Sequence, residues 1–241
     1  MPKKTRSTKI TDANKPWNIK KTRVQPYQEE HIPLEKSFRI ICEGENTEPE
    51  YFKAFPVKTA KVESYGLATS RKKLVELVIE IVKDEGEQEN WVVFDMDIQR
   101  DNVVAIKKDF NEAIELAEEH NIKVAYANDS FELWFLLHYM YFDNEWTRHE
   151  YYEKLSEFWG MNYEKSCKKI AFCKSIYQKL ATDERANQAE AMRRAKRLWD
   201  GQKDKLHSER NPCTNIHCLV NELNKHISKD SFIEDLCKSN T

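Results

Sequence analysis

The sequence predicts an α/β protein with a mostly parallel sheet flanked by helices and a C-terminal helical region. Three observations predict it. Short runs rich in apolar and β-branched residues recur at 38–42, 91–94 and 123–127. Between them, apolar residues return at helical rather than alternating spacing. Beyond about residue 143 only helical periodicity is left, and strand–helix alternation followed by helices is the pattern of this class.

Taken in order, residues 1–35 mix basic and polar side chains with Pro2, Pro16, Pro26 and Pro33, and lack the apolar period of an independent element. They read as a basic flexible arm ahead of a core at 36–142 and a helical extension packed on it at 143–241. The run Phe38-Arg-Ile-Ile-Cys42 stops at Glu43-Gly44, as a buried strand entering a tight turn does. A helix is expected over 48–55 and a weak strand over 60–64. Ser70 is placed to cap a helix over 71–83, whose Leu74, Leu77, Val78 and Ile81 share one face. The strand 91–94 closes on Asp95-Met-Asp97, and a helix follows over 103–120 through Ile106, Phe110, Ile114 and Ala117. The strand 123–127 leads to a mostly apolar helix over 131–141 with Ser130 at its start. Helices are expected over 148–158, 163–180, 183–203 and 215–227.

Bulk properties exclude several function classes. The 241 residues hold only five glycines, none in a phosphate-cradling G-x-x-x-x-G-K-[ST] or G-x-G-x-x-G arrangement, so the chain is not expected to hydrolyse ATP by itself. No stretch reaches the ~18 apolar residues of a membrane span and no secretory h-region is visible, which predicts a cytoplasmic protein with no membrane partner. Six scattered cysteines read as reduced thiols. Cys213, His217 and Cys218 lack the paired spacing of a zinc site. The formal charge of −2 divides unevenly: residues 1–24 carry eight Lys/Arg against Asp12 alone, +7, leaving −9 for the remainder. Such an arm either lies along a phosphate backbone or is a solvated leader.

The chemistry-bearing residues stand at strand ends. Ligands of open α/β sheets gather beyond the carboxyl ends of the strands, where Glu43 and Asp95 both fall. In an extended segment Asp95 and Asp97 project to the same side, roughly 6–7 Å apart. Clustered carboxylates repel one another and are best satisfied by a hard cation such as Mg²⁺. A glutamate opposite such a pair binds a second ion or acts as general base.

Four segments carry a resemblance: CEGENTEPEYF at 42–52, VFDMD at 93–97, NDSFELWFLLH at 128–138 and NPCTNIH at 211–217. In order and spacing, over residues 38–225, they resemble the successive motifs of RloB-like proteins. The resemblance implies a Toprim-like fold related to the nuclease portions of OLD-type proteins and a place in bacterial anti-phage defence. It implies a divalent-metal-dependent endonuclease using Mg²⁺ or Mn²⁺, with Glu43 as the Toprim glutamate and Asp95 and Asp97 as its Asp-x-Asp pair. It implies a separately encoded OLD-like or ABC-type ATPase as partner and a nucleic-acid target, tRNA or other RNA, or DNA. A non-catalytic assembly or sensor subunit is the alternative. The chain departs from the pattern at Asp129, where the family reads proline; Asp129 either adds a ligand or shapes a turn.

Further candidates have two readings each. Glu132 is a fourth acidic ligand or an acid favoured by a helix N-terminus, and Glu48 shares that ambiguity. Arg71, Lys72, Lys73 and Arg100 are candidates for neutralising substrate phosphates or are solvated charges. The same holds for the basic faces at Lys165, Lys168 and Lys169 and at Arg193, Arg194, Lys196 and Arg197. His138 is expected to be a packed histidine. Oligomeric state is left open, a homo-oligomer included.

Overall fold

The computed structural model describes residues 36–83, 88–98 and 102–227. The arm at 1–35 and Arg100 lie outside the described residues. Four parallel strands, β1 (Lys36–Cys42), β2 (Ala60–Gly66), β3 (Glu89–Asp95) and β4 (Lys123–Asn128), form the sheet, with a two-residue β5 (Cys213–Thr214) antiparallel at its edge. Their spatial order is β2-β1-β3-β4-β5. The central strands β1 and β3 are buried along most of their length, as strands covered on both sides must be, whereas the edge strand β2 exposes Lys61 and Tyr65.

Alternation along the strands divides the core. Ile41, Val92, Phe94 and Tyr126 pack under α2 (Arg71–Lys83) and α3 (Val103–Glu119), together with Leu74, Val75, Val78, Phe110 and Ile114. Phe38, Ile40, Cys42, Trp91 and Val93 face the other way. They meet α1 (Thr47–Lys53) and α4 (Glu132–Leu137), whose six residues are all buried. The same cluster continues without a break into Tyr151, Leu155 and Trp159 of α5 (Arg148–Trp159), Ala191, Ala195 and Leu198 of α9 (Gln188–Asp200), and Leu219, Val220 and Leu223 of α10 (Ile216–Asn224). Helix α5 starts at a capping box between Thr147 and Glu150 and ends on Gly160 at φ 61°, a left-handed cap that glycine adopts without a Cβ penalty.

The helix expected over 131–141 ends at Leu137 and the one expected over 183–203 spans Gln188–Asp200, and the structure departs further from the sequence expectations at three places. The helix expected over 163–180 is three short ones, α6 (Tyr163–Ser166), α7 (Ile170–Cys173) and α8 (Ile176–Thr182). At 100° per residue Cys173, Ile176 and Leu180 share a stripe, whereas Tyr163 lies roughly 80–140° from its members. All four are buried, and the extended backbone at Lys169 (φ −100°, ψ 117°) supplies the rotation that a straight helix lacks. The second departure is β5. It is too short to carry a period, and its place comes from β4: the Asn128 side chain donates to the Arg210 carbonyl at 2.8 Å and Thr214 Oγ1 to the Tyr126 carbonyl at 2.7 Å. Third, Ser130 does not cap α4; its hydroxyl donates to Glu132 at 2.8 Å. No helix among the described residues is long and apolar enough to cross a membrane.

Candidate active site

The parallel strands deliver their carboxyl ends to one place. The Glu43 N–H donates to the Val93 carbonyl at 2.8 Å, continuing the β1–β3 ladder one residue past Cys42. Glu43 Oε2 then accepts from the Asp95 N–H at 3.3 Å. Met96 N–H donates to the Ala127 carbonyl at 3.0 Å, and Asp97 N–H to the Asp129 carbonyl at 3.0 Å. Asp97 sits at φ 46°, left-handed backbone uncommon for a residue with a Cβ. Asp129 Oδ1 accepts from the Ile98 N–H at 2.7 Å, so this residue shapes the turn that holds Asp97. A proline there would keep the carbonyl and lose that carboxylate acceptor.

Two glycines let the first motif fold against itself. A Cβ on Gly44 would stand 2.2 Å from Glu48 Oε2, so the Glu48 carboxylate occupies the space a side chain would fill. A Cβ on Gly66 would stand 2.1 Å from the Gly44 carbonyl oxygen. Only glycine admits these approaches without displacement.

Glu43, Glu48, Asp95, Asp97 and Glu132 thus share one electrostatic neighbourhood. Burial, then repulsion from Glu48, pushes the Asp95 carboxyl well above the usual carboxylate range. Glu48 is pushed up to about 7 by burial, with Glu132 and Glu43 adding to it. Burial also raises Glu43, against the pull of Arg71. Asp95 Oδ1 is buried without a hydrogen-bond partner. Glu132 is fully engaged: one oxygen accepts from Ser130 and the other from the Tyr163 hydroxyl at 2.8 Å.

The residue that sequence reasoning missed is Arg148. Its Nη2 lies 3.3 Å from Asp95 Oδ2 and its Nη1 3.2 Å from Asp97 Oδ1, so one guanidinium bridges the pair. Burial works against its charge, but Asp95, Glu132 and Asp97 outweigh it and hold Arg148 protonated above its ordinary range. Nothing in the motif pattern signals Arg148. The one local clue is the Thr147/Glu150 capping box, which makes Arg148 the first residue of its helix.

The expected phosphate-binding cations are otherwise engaged. Arg71 is at the site, with Nε donating to the Asp95 carbonyl at 2.6 Å and Nη2 to the Met96 carbonyl at 2.5 Å, and it stands 4.0 Å from Glu43. It holds the turn after β3. Lys72 points to Glu112 on α3 at 2.9 Å. His138 is packed, its Nδ1 2.9 Å from the Trp134 carbonyl, and burial lowers its pKa to about 4.

Chemically the site offers hard oxygen donors, one of them an unpartnered buried carboxylate oxygen, which fits Mg²⁺ or Mn²⁺ better than a soft metal. Among the described residues no group of three or more His, Cys, Asp or Glu side chains stands in metal-holding geometry. Arg148 meanwhile acts as counter-cation to the aspartates.

Fold and site together define an α/β protein with a mostly parallel sheet and an acidic crevice at its strand ends. The chain belongs to the RloB-like protein family, whose model matches residues 38–223. No curated protein and no solved structure matches it.

Proposed function

We propose that this chain is a Toprim-type, divalent-metal-dependent endonuclease, the effector of an anti-phage defence system under the control of a separately encoded ATPase. The observation that carries this reading is Asp95, raised in pKa and with its Oδ1 buried and unpartnered, between Glu43 just past β1 and Asp97 on the turn after β3. A buried carboxylate in acidic company is costly unless a cation joins it. Glu43, Asp95 and Asp97 would hold Mg²⁺ or Mn²⁺. Such an ion, when bound, supplies Lewis-acid stabilisation of phosphate oxygens and an acidified water.

The chain's own residues do the rest. Glu43, whose proton affinity is raised by burial, is poised as general base toward the attacking water. Glu132, held by Ser130 and Tyr163, orients the cluster and adds negative charge rather than a free ligand oxygen. Arg71 and Asp129 position the Asp-x-Asp turn through its backbone. The nucleic acid is RNA, tRNA included, or DNA.

The test is cleavage of RNA and DNA pools with Mg²⁺ or Mn²⁺, with and without any ATPase found to co-purify, followed by sequencing of the cut ends. Glu43→Gln and Asp95→Asn are expected to abolish cleavage and toxicity while the protein stays folded. A second reading, a non-catalytic assembly subunit, is favoured by the Arg148 bridge, which already neutralises the aspartates. Unchanged cleavage by both variants would sink the assignment of this site, and absence of metal-dependent cleavage by the wild type would leave the second reading standing.

A further inference from the structure

An acidic crevice repels the phosphates it is meant to cut, so a nuclease needs cations at its rim. The two candidates at the start of α2, Arg71 and Lys72, are committed to backbone carbonyls and to Glu112. The basic face of α9 is likewise neutralised: Arg193 pairs with Glu190, Lys196 with Asp200 at 2.8 Å, and Arg197 stacks 4.2 Å over Tyr141. One basic segment differs. Residues 163–180 carry Lys165, Lys168, Lys169, Lys174 and Lys179 against Glu164 alone, a balance of +4 in a body that is otherwise acidic. Lys165, Lys168, Lys169 and Lys174 are exposed, and none is ion-paired among the described residues.

This segment is also tied to the crevice at two points, Tyr163 and Cys173. Tyr163 donates to Glu132 at 2.8 Å, and Cys173 Sγ lies 3.8 Å from Thr47 Oγ1, the residue before Glu48. Lys165, Lys168 and Lys169 lie between these two anchors in the chain, and Lys174 directly follows the second. The break into α6 and α7 at Lys169 places the lysines on an irregular edge while Tyr163 and Cys173 stay buried. We propose that Lys165, Lys168, Lys169 and Lys174 form the rim that receives the phosphate backbone of a nucleic-acid strand and leads it to the Glu43–Asp95–Asp97 crevice. This rests on the nuclease reading. The occupant is the phosphodiester backbone of a nucleic acid, because unpaired ammonium groups on flexible stems contact phosphates without reading bases.

The experiment measures binding of fluorescein-labelled RNA and DNA single strands of about 20 nucleotides to the full chain in an Asp95→Asn background across a salt series. Two triple variants with the same change in net charge are compared. Lys168→Gln/Lys169→Gln/Lys174→Gln alters the rim; Arg193→Gln/Lys196→Gln/Lys225→Gln alters cations already paired with Glu190, Asp200 and Glu222. At about 0.7 per phosphate contact, the rim variant is expected to flatten the slope of log K against log salt by about 2 and to lose about tenfold or more in affinity. The control variant should match the parent. Equal losses in both variants, or no change in the rim variant, overturn the proposal. Absence of any nucleic-acid binding by the parent overturns the nuclease reading itself, and the rim with it. Should the rim triple not unfold cooperatively, the single Lys168→Gln carries the same test, with an expected slope change of about 0.7.

Discussion

Replacing Arg148 by glutamine removes the cation that bridges Asp95 and Asp97 while keeping a polar side chain of related length. Each pair, at 3.3 and 3.2 Å, would be worth about 5 kcal/mol at an effective dielectric of about 20. Breaking a fully buried pair costs about 3–5 kcal/mol. The Arg148 side chain is 35% exposed and that of Asp97 38%, so solvent screening reduces the expected loss to about 2 kcal/mol at neutral pH. For a chain of this size that is a fall in melting temperature of about 4–8 °C. The pH dependence has a definite sign. Asp95 and Glu43 have folded-state pKa values above their ordinary ones, and Glu48 stands at about 7, so the folded chain binds more protons than the unfolded one. Their stabilisation is fully present below about pH 4, the ordinary carboxylate range, and is lost as pH rises through the raised values. Arg148 opposes that loss at Asp95. The difference between wild type and Arg148→Gln should therefore be small near pH 4 and reach its full size by about pH 8. Thermal denaturation followed by circular dichroism across this range measures it. A loss of equal size at both ends, or none at either, would sink the assignment of Arg148 as the cluster's counter-cation.

Other substitutions probe the supports of the site. Gly66→Ala should destabilise more than Gly44→Ala, because the new methyl meets the Gly44 carbonyl and Glu45 Cα in the first case and the movable Glu48 carboxylate in the second; overpacking of this kind costs about 1–3 kcal/mol, and denaturant midpoints rank the two. Tyr163→Phe leaves one oxygen of buried Glu132 without its donor and should cost about 1–3 kcal/mol, read by chemical denaturation; an unchanged midpoint would mean that water replaces the hydroxyl. Asp129→Ala removes the acceptor for the Ile98 N–H and should lower stability by about 1–2 kcal/mol. Asp129→Asn, which retains a side-chain oxygen, should recover most of that loss, and failure to do so would show that the charge rather than the acceptor matters.

Local signals made much of the fold legible. The strands at 38–42, 91–94 and 123–127 and the helices behind Leu74 and Phe110 are written in the period of their apolar residues, because each of these elements buries a face that its own sequence defines. The acids Glu43, Asp95 and Asp97 were legible for the same reason: a carboxylate directly after an apolar strand falls at the sheet's carboxyl edge wherever neighbouring strands run parallel. Glu48 carried a weaker signal, since only the Gly44 approach shows its carboxylate turned back into the cluster.

The sequence by itself determined which segments are strands and helices and which acids end the strands, since those properties depend on neighbours within a few positions. Tertiary structure alone decided the rest. It set the two-residue β5 against β4, broke 163–180 into three helices to bury Tyr163 with Ile176, turned Arg71 onto the Asp95 carbonyl, and brought Arg148 from more than fifty residues away onto Asp95. Each of these outcomes satisfies a charge, a carbonyl or a buried ring with a partner distant in the chain, and no local period encodes such a partner.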